Sequence, residues 1–374
     1  MQLTRFLLLS TEFPPGPGGI GQHAWSLAQA LITADKTVVV QTEADYAGVD
    51  EVNAFDAQYQ SERLSIVRNA RGGWRTYPDR IKRSRHLIKT HQPDVLILTG
   101  RFSIWAGAWL KYWGLATPTW AFVHGSEVGN ARRWTTRLTL LALQKTDRII
   151  AVSAFTRSLL PGRLQQKTEV LPNGITTAEI PASDELIGFV NWPGSPRLLT
   201  VGRISPRKGQ HRVVKALPAL LQHFPDLHYH MVGLPDRREV VEDLAKELGV
   251  TSHITIHGKL ANRLDLYRAY HNADAFIMLS ENQPDGDVEG FGIAILEANY
   301  FGVPAIGAQG CGIEDAIQHG HNGYLVDGDN AEAVAQALQD CLAYKQQLST
   351  QAKAWAAEHD WNQLAHQLLH SEIR

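Results

Sequence analysis

Glu289 and Glu297 are separated by seven residues in the string Asp287-Val-Glu-Gly-Phe-Gly-Ile-Ala-Ile-Leu-Glu297. A carboxylate accepts two hydrogen bonds at fixed geometry, which suits the hydroxyls of a sugar or a ribose. Gly290 and Gly292 permit a tight backbone, and Ile293–Tyr300 has helical character. Glu297 then lies one turn inside a helix and Glu289 ahead of its N-terminus. Backbone N–H groups from Gly290 to Ile293 point towards an anion there. An acidic turn that only steadies a helix dipole explains Glu289. It leaves Glu297 unexplained among Ile293, Ile295, Leu296 and Ala298.

A second string, Val201-Gly-Arg-Ile-Ser-Pro-Arg-Lys-Gly209, brings two cations to the end of an apolar run. Arg203 suits a bidentate phosphate contact and Lys208 a point-charge contact; alone, the string is also a solvated basic turn. A third, Phe13-Pro-Pro-Gly-Pro-Gly-Gly-Ile-Gly21, contains Gly16, Gly18 and Gly21 in the G-x-G-x-x-G spacing. A dinucleotide site there predicts an acidic residue about 20 positions on, and Glu43 is available. The prolines and the late start of the glycines speak against it. The other readings are a plain connection and a longer anion loop, in which Gly18 and Gly19 let backbone approach a phosphate.

These strings need elements to position them, and the chain alternates apolar runs with helical patterns. Arg5–Ser10, Thr37–Thr42, Asp94–Thr99, Pro118–His124, Arg148–Val152 and Lys167–Leu171 read as strands, with helices such as His23–Ala34 and Tyr77–His91 between them. A second series reads Arg197–Val201, His228–Gly233, Ile254–His257, Ala273–Leu279, Val303–Gly307 and Gly323–Val326, interleaved with helices over Lys208–Phe224, Arg237–Leu248 and Ala331–Tyr344. Such alternation predicts an α/β fold of two doubly wound, Rossmann-like domains with parallel sheets, facing across a cleft. The Pro- and Gly-rich stretch from Pro172 to Pro196, which includes Gly188, is the expected linker. The domains are read as 1–178 and 179–354, with a C-terminal helix over 355–374 packing back on the first. Ligands are expected outside the carboxyl ends of the strands.

Together the three strings resemble the glycosyltransferase family 4 pattern of GT-B enzymes, with E-x7-E and R-x4-K as its specific parts. His124-Gly-Ser-Glu127, Val152-Ser153, Pro172-Asn-Gly-Ile175 and Trp361 in the last helix fit as well. The local strings look most like the phosphatidylinositol mannosyltransferase branch. The resemblance implies a retaining hexose transfer from a nucleotide-diphospho-sugar, GDP-mannose as first guess, to a lipid-linked or glycan acceptor. Carried over by position, Arg203 and Lys208 bind the donor diphosphate, and Gly18 and Gly19 cradle diphosphate or acceptor. Glu297 takes the ribose hydroxyls, Glu289 takes sugar hydroxyls, and the backbone of Phe291, Gly292 and Ile293 holds sugar or phosphate. His124 contacts the sugar, and the base lies against Gly258, Lys259 and Leu260. Fixed cations aimed at the leaving diphosphate stabilise it without a metal ion, so no metal or other cofactor is expected. Asp285-Gly-Asp287 and Asp327-Gly-Asp329 read as turn aspartates, and His228 with His230 lacks the neighbours of a zinc site. A nicotinamide-dependent oxidoreductase using Gly16–Gly21 and a non-catalytic binding protein of the same fold are the competing functions.

Among 374 residues, 36 basic and 38 acidic side chains give a net charge of −2. The total hides a split. Through Ala178 there are 21 basic and 13 acidic residues; the remainder has 15 and 25. Arg63 to Lys89 alone holds nine basic residues, Arg71 among them, against Asp79. Trp105, Trp109 and Trp113 recur every four residues, and Arg132, Arg133, Trp134 and Arg137 follow. The Trp series alone reads as core. With the charge run it suggests an anionic membrane surface bound through Arg63–Lys89; no motif accompanies the charge to suggest nucleic acid. Only Cys311 and Cys341 are present, which suits a reducing cytoplasm. No apolar run reaches the roughly 20 residues of a membrane span, and the short apolar start reads as a strand, not a signal peptide. The expected location is cytoplasmic, at most peripheral on the inner face of the plasma membrane.

Overall fold

The Leu- and Val-rich runs become strands whose residues are buried on both faces, as parallel sheets require. The computed structural model describes residues 3–16, 18–43, 48–70, 72–130, 132–181, 186 and 192–371; Pro17, Arg71 and Gly188 lie outside them. The chain forms two units, Met1–Thr176 with Trp361–Arg374, and Thr177–Asp360.

In the first unit, β1 (Arg5–Ser10), β2 (Thr37–Glu43), β3 (Leu64–Asn69), β4 (Val95–Thr99), β5 (Thr119–Val123), β6 (Arg148–Ala151) and β7 (Thr168–Val170) form one sheet. Its order is β3-β2-β1-β4-β5-β6-β7, and neighbouring strands run parallel, with Leu7 opposite Val39 on one side and Leu96 on the other. The period-2 alternation of strand side chains divides the core. Phe6 and Leu8 join one cluster; Leu7 and Leu9 join another. The connecting helices are α1 (Gly19–Thr33), α2 (Val49–Tyr59), α3 (Tyr77–His91), α4 (Arg101–Tyr112), α5 (Trp134–Leu143), α6 (Ala154–Ser158) and α7 (Gly162–Gln165).

The second unit repeats the plan. Strands β8 (Arg197–Val201), β9 (His228–Val232), β10 (Ile254–Gly258), β11 (Ala275–Met278), β12 (Ala305–Ala308) and β13 (Gly323–Val326) lie in the order β10-β9-β8-β11-β12-β13. Its helices are α8 (Gln210–His223), α9 (Arg238–Glu247), α10 (Arg263–His271), α11 (Ile293–Tyr300), α12 (Ala331–Ala343) and α13 (Lys345–Glu358). The chain then re-enters the first unit as α14 (Trp361–His370). The Trp361 N–H donates to the Ile175 carbonyl at 3.0 Å, and its buried ring sits 5.0 Å from that of His23. Residues 355–358 complete α13, so the return begins at Trp361.

Both strand orders reverse direction beside the first strand of the unit, between β1 and β4 and between β8 and β11. These are the switch points where open α/β sheets bind ligands. The loops after β1, β8 and β11 carry the three strings singled out above.

Four expectations need correction. Leu64–Asn69 is a strand, hidden in the sequence by its place in the basic run. That run is not one solvated face: Arg63 pairs with Asp35, Arg68 binds Asp56 at 2.7 Å, and Arg80, 3% exposed, pairs with Glu43. The Trp series is not core either, since Trp109 and Trp113 are 39% and 62% exposed. At Lys208 the expected helix is a 3-10 turn (Pro206–Lys208), and α8 starts only after Gly209 at φ 75°.

Trp361→Ala removes a fully buried indole from the first unit's core. It should destabilise that unit by about 3–5 kcal/mol, read from the denaturant midpoint of the intact chain.

Candidate active site

The loop after β8 is fixed before any ligand is considered. Gly209 takes a left-handed conformation, and a Cβ there would overlap the Leu279 carbonyl at the end of β11. The Gln210 side chain reaches back, accepting from the Ser205 N–H at 3.3 Å and donating to the Arg203 carbonyl at 3.1 Å. Arg212 donates to the carbonyls of Leu279 and Ser280, each at 3.1 Å. The Glu281 N–H donates to the Arg207 carbonyl at 2.9 Å. Hydrogen bonds thus clamp the loops after β8 and β11 together.

That clamp brings Arg207, Lys208 and Glu289 into one cluster. Lys208 Nζ lies 2.9 Å from Glu289 Oε2, the same oxygen that accepts from Arg207. Arg207 Nε also faces Asp287 at 3.1 Å. Burial alone would raise the Glu289 pKa, but the two cations override it and hold it below the ordinary value. Burial lowers that of Lys208, against the pull of Glu289. Arg203 is half-exposed and pairs with Asp236 at 3.1 Å. The two cations singled out in the sequence thus differ in setting: Lys208 is largely withdrawn from water and Arg203 is half-exposed. Arg207 was not anticipated: adjacency to Lys208 says nothing about facing, and only the 3-10 turn aims both at one carboxylate.

Glu297 lies four residues into α11, half-buried, and accepts from the Tyr270 hydroxyl at 2.6 Å. Burial raises its pKa, partly offset by that hydrogen bond. One carboxylate oxygen is held by Tyr270, which fixes the orientation of the group. Gly292 caps α11 at φ 90°, with no side chain capping its N-terminus. The Gly312 N–H donates to the Glu289 carbonyl at 3.0 Å, which anchors the strand of backbone through Phe291, Gly292 and Ile293. Phe291 itself is buried, so its backbone rather than its ring can serve a ligand. Gly258 ends β10 at φ 71°, facing open space, followed by exposed Lys259 and half-buried Leu260.

In the first unit, His124 follows β5. Its Nε2 lies 2.7 Å from Thr99 Oγ1, and its N–H donates to the Glu127 carboxylate at 3.1 Å. Burial lowers its pKa to about 3, so the ring is neutral. The His23 ring, itself buried and held well below its usual pKa by burial and then by His124, packs edge-on at 4.6 Å. At the start of α1, a Cβ on Gly19 would meet nothing within 4 Å, whereas one on Gly18 would overlap the Glu12 carboxylate. The open approach to the helix is at Gly19. Glu43, the acid a dinucleotide site requires, is engaged by Arg80.

Both D-x-D strings are turns: the Asp287 N–H donates to Asp285 and the Asp329 N–H to Asp327, each at 3.0 Å. Asp329 pairs with Arg212 at 2.9 Å. His230 stacks with Trp192 and His257, and His228 packs tilted against His230 and lies 2.8 Å from Thr255 Oγ1, instead of gathering acids. No group of three or more His, Cys, Asp or Glu suited to a metal occurs among the described residues.

Two outcomes follow from this geometry. Tyr270→Phe should weaken nucleotide binding about 5- to 10-fold, the worth of roughly one net hydrogen bond, while a 2′,3′-dideoxy nucleotide is unaffected; calorimetry checks both. His124 has a folded pKa below its unfolded value near 6.5. Its contribution to stability is therefore complete above pH 6.5 and lost as pH falls towards about 3. Wild type should lose stability more steeply over that window than His124→Asn, measured by urea midpoints.

Residues 17–179 match the family described as Glycosyltransferase Family 4, and residues 184–358 that described as Glycosyl transferases group 1. The chain is 29% identical to the GDP-mannose-dependent alpha-(1-6)-phosphatidylinositol monomannoside mannosyltransferase of Mycobacterium tuberculosis, over 98% of this chain and 97% of that one. It is 28% identical to the enzyme of the same name from Mycolicibacterium smegmatis, over 90% and 89%. Among solved structures, sucrose-phosphate synthase from Thermosynechococcus elongatus superposes with a TM-score of 0.80 at 20% identity, covering 98% and 97%. Anabaena HepE in complex with UDP gives 0.74 at 19%, covering 98% of each chain. With both of its units matched in sequence and its two Rossmann-like sheets shared with these structures, the chain belongs to glycosyltransferase family 4 and is a glycosyltransferase of the GT-B fold class.

Proposed function

We propose that this glycosyltransferase moves a hexose, mannose from GDP-mannose in the first instance, to a lipid-linked or glycan acceptor, with retention and without a metal ion. The observation that carries the reading is the Arg207–Glu289–Lys208 cluster at the switch point of the second unit, with Arg203 on the same loop. Arg207 and Lys208 meet on Glu289, and Arg207 also faces Asp287, so the cations are held in fixed places where a diphosphate can compete for them. The relatives' names supply the donor and the lipid class of acceptor.

In this reading the C1–O bond to the donor phosphate breaks as the acceptor oxygen bonds to C1, and the acceptor proton passes to the leaving phosphate. Charge builds on the diphosphate, where Lys208 and Arg203 stabilise it through preorganised contacts. Arg207 keeps Glu289 ionised, so that it accepts from sugar hydroxyls. Glu297 takes the ribose diol, the backbone at Phe291–Ile293 takes sugar or phosphate, and Gly258, Lys259 and Leu260 flank the base. In the first unit, substrate contact is assigned to neutral His124 and to the turn at Gly18 and Gly19. A lipid-linked acceptor brings the protein to the cytoplasmic side of a membrane. No helix among the described residues is long and apolar enough to cross one.

Glu289→Ala and Lys208→Ala should each lower GDP-mannose turnover by about 10²–10³-fold, and EDTA should leave wild type unchanged. Retained activity in the variants, or loss with EDTA, overturns the mechanism. Across UDP-, GDP-, ADP- and dTDP-sugars, GDP-mannose should give the largest rise in Tm.

A further inference from the structure

Two neighbouring helices of the first unit turn apolar side chains outward. On α4, Trp105, Trp109, Tyr112 and Trp113 lie at i, i+4, i+7 and i+8; Trp109, Tyr112 and Trp113 are 39%, 77% and 62% exposed. On α5, Trp134, Leu138 and Leu141 lie at i, i+4 and i+7 and are 71%, 41% and 60% exposed. The two stripes are continuous, because Trp105 Nε1 donates to Thr139 Oγ1 at 3.0 Å and its ring lies 6.2 Å from that of Trp134. A helix on a protein surface ordinarily presents its polar side to water. Single exposed apolar residues are unremarkable, but a patch running across two helices marks an interaction site.

The charges around the patch identify its occupant. Arg85 of α3 lies 4.6 Å over the Trp109 ring, and Arg132, Arg133 and Arg137 are exposed at the start and on the outer side of α5. Between Arg101 and Thr146 the only acid is Glu127, which is 2% exposed, and the next, Asp147, is bound by Lys111 of α4 at 2.7 Å. Trp and Tyr with a basic rim suit the boundary between lipid headgroups and acyl chains, where the rings enter and the cations meet anionic heads. A second copy meeting this patch about a two-fold axis would set Arg against Arg.

We infer that the joint outer face of α4 and α5 docks on an anionic lipid bilayer through inserted Trp and Leu side chains. The inference rests on the lipid-linked acceptor reading and relocates the contact. The centre is this aromatic face, not the whole Arg63–Lys89 run, of which Arg63, Arg68 and Arg80 are engaged by acids of the same unit.

The full-length protein should co-sediment with vesicles of phosphatidylcholine and phosphatidylglycerol, with a blue shift of Trp emission. Trp113→Ser with Leu138→Ser and Leu141→Ser should weaken that binding by about tenfold or more at low and high salt. Arg85→Ser with Arg137→Ser should weaken it mainly at low salt. The single Trp113→Ser variant, checked for an unchanged Tm, should move in the same direction. Absence of binding by wild type, or wild-type binding by the apolar variants, overturns the inference. So does a dimer in sedimentation velocity that the same substitutions dissolve. GDP-mannose turnover with a water-soluble acceptor separates the two readings. Turnover without vesicle binding rejects the docking face alone; vesicle binding without turnover or nucleotide binding rejects the proposed reaction alone.

Discussion

One buried carboxylate organises the second unit's site. Glu289 is almost wholly removed from water, and an isolated charge there would neutralise. Arg207 and Lys208 prevent that, and each is itself tolerable in its place because Glu289 is ionised. Removing one partner from such a group costs about 3–5 kcal/mol and leaves the others uncompensated. The cluster therefore constrains the turn at Pro206–Lys208, the left-handed Gly209 and the approach of Leu279. It also keeps the charges in place: Arg207 is shared between Glu289 and Asp287, and Lys208 is held by Glu289.

The sheets explain why this cluster lies where it does. Parallel strands deliver their loops at one end, and the strand order reverses between β8 and β11, the place where open α/β sheets bind ligands. The loop after β8 brings cations; the loop after β11 brings the acid and then an uncapped helix start at Gly292. Tyr270, from α10, sets Glu297 from behind. Each functional side chain thus has a positioning contact on a neighbouring element. This is how a half-buried polar site keeps its geometry without a ligand.

Much of this was legible from residue order alone. The helix Ile293–Tyr300 and the strands Arg5–Ser10, Arg197–Val201 and Gly323–Val326 have the expected bounds, because glycines or prolines punctuate strong apolar patterns beside them. Glu297 was recognisable because an acid in an otherwise apolar helix needs a reason. Arg207 and Tyr270 were not. Their roles depend on a 3-10 turn and on a contact 27 residues apart in sequence, and neither leaves a local pattern. β3 was missed because its alternation, Leu64-Ser-Ile-Val-Arg-Asn69, sits within a run that charge counting claims first.

The same charge counting shows how composition and surface part company. The first half of the sequence carries the basic excess, yet its arginines do three different things. Arg68 ties β3 to α2 through Asp56, Arg80 ties α3 to β2 through Glu43, and Arg80 lies 3.7 Å over the Phe102 ring. Arg148 is buried, pairing with Glu169 at 2.5 Å and donating to the Leu368 carbonyl at 3.0 Å, so it secures α14. What is left for the outside is set by where acids are missing. From Arg101 to Thr146 only Glu127 occurs, and it is buried, while Lys111 there is held by Asp147 at 2.7 Å. Residues that look alike in a tally are thus separated by their partners, and the stretch poor in acids is also the one on which tryptophan points outward.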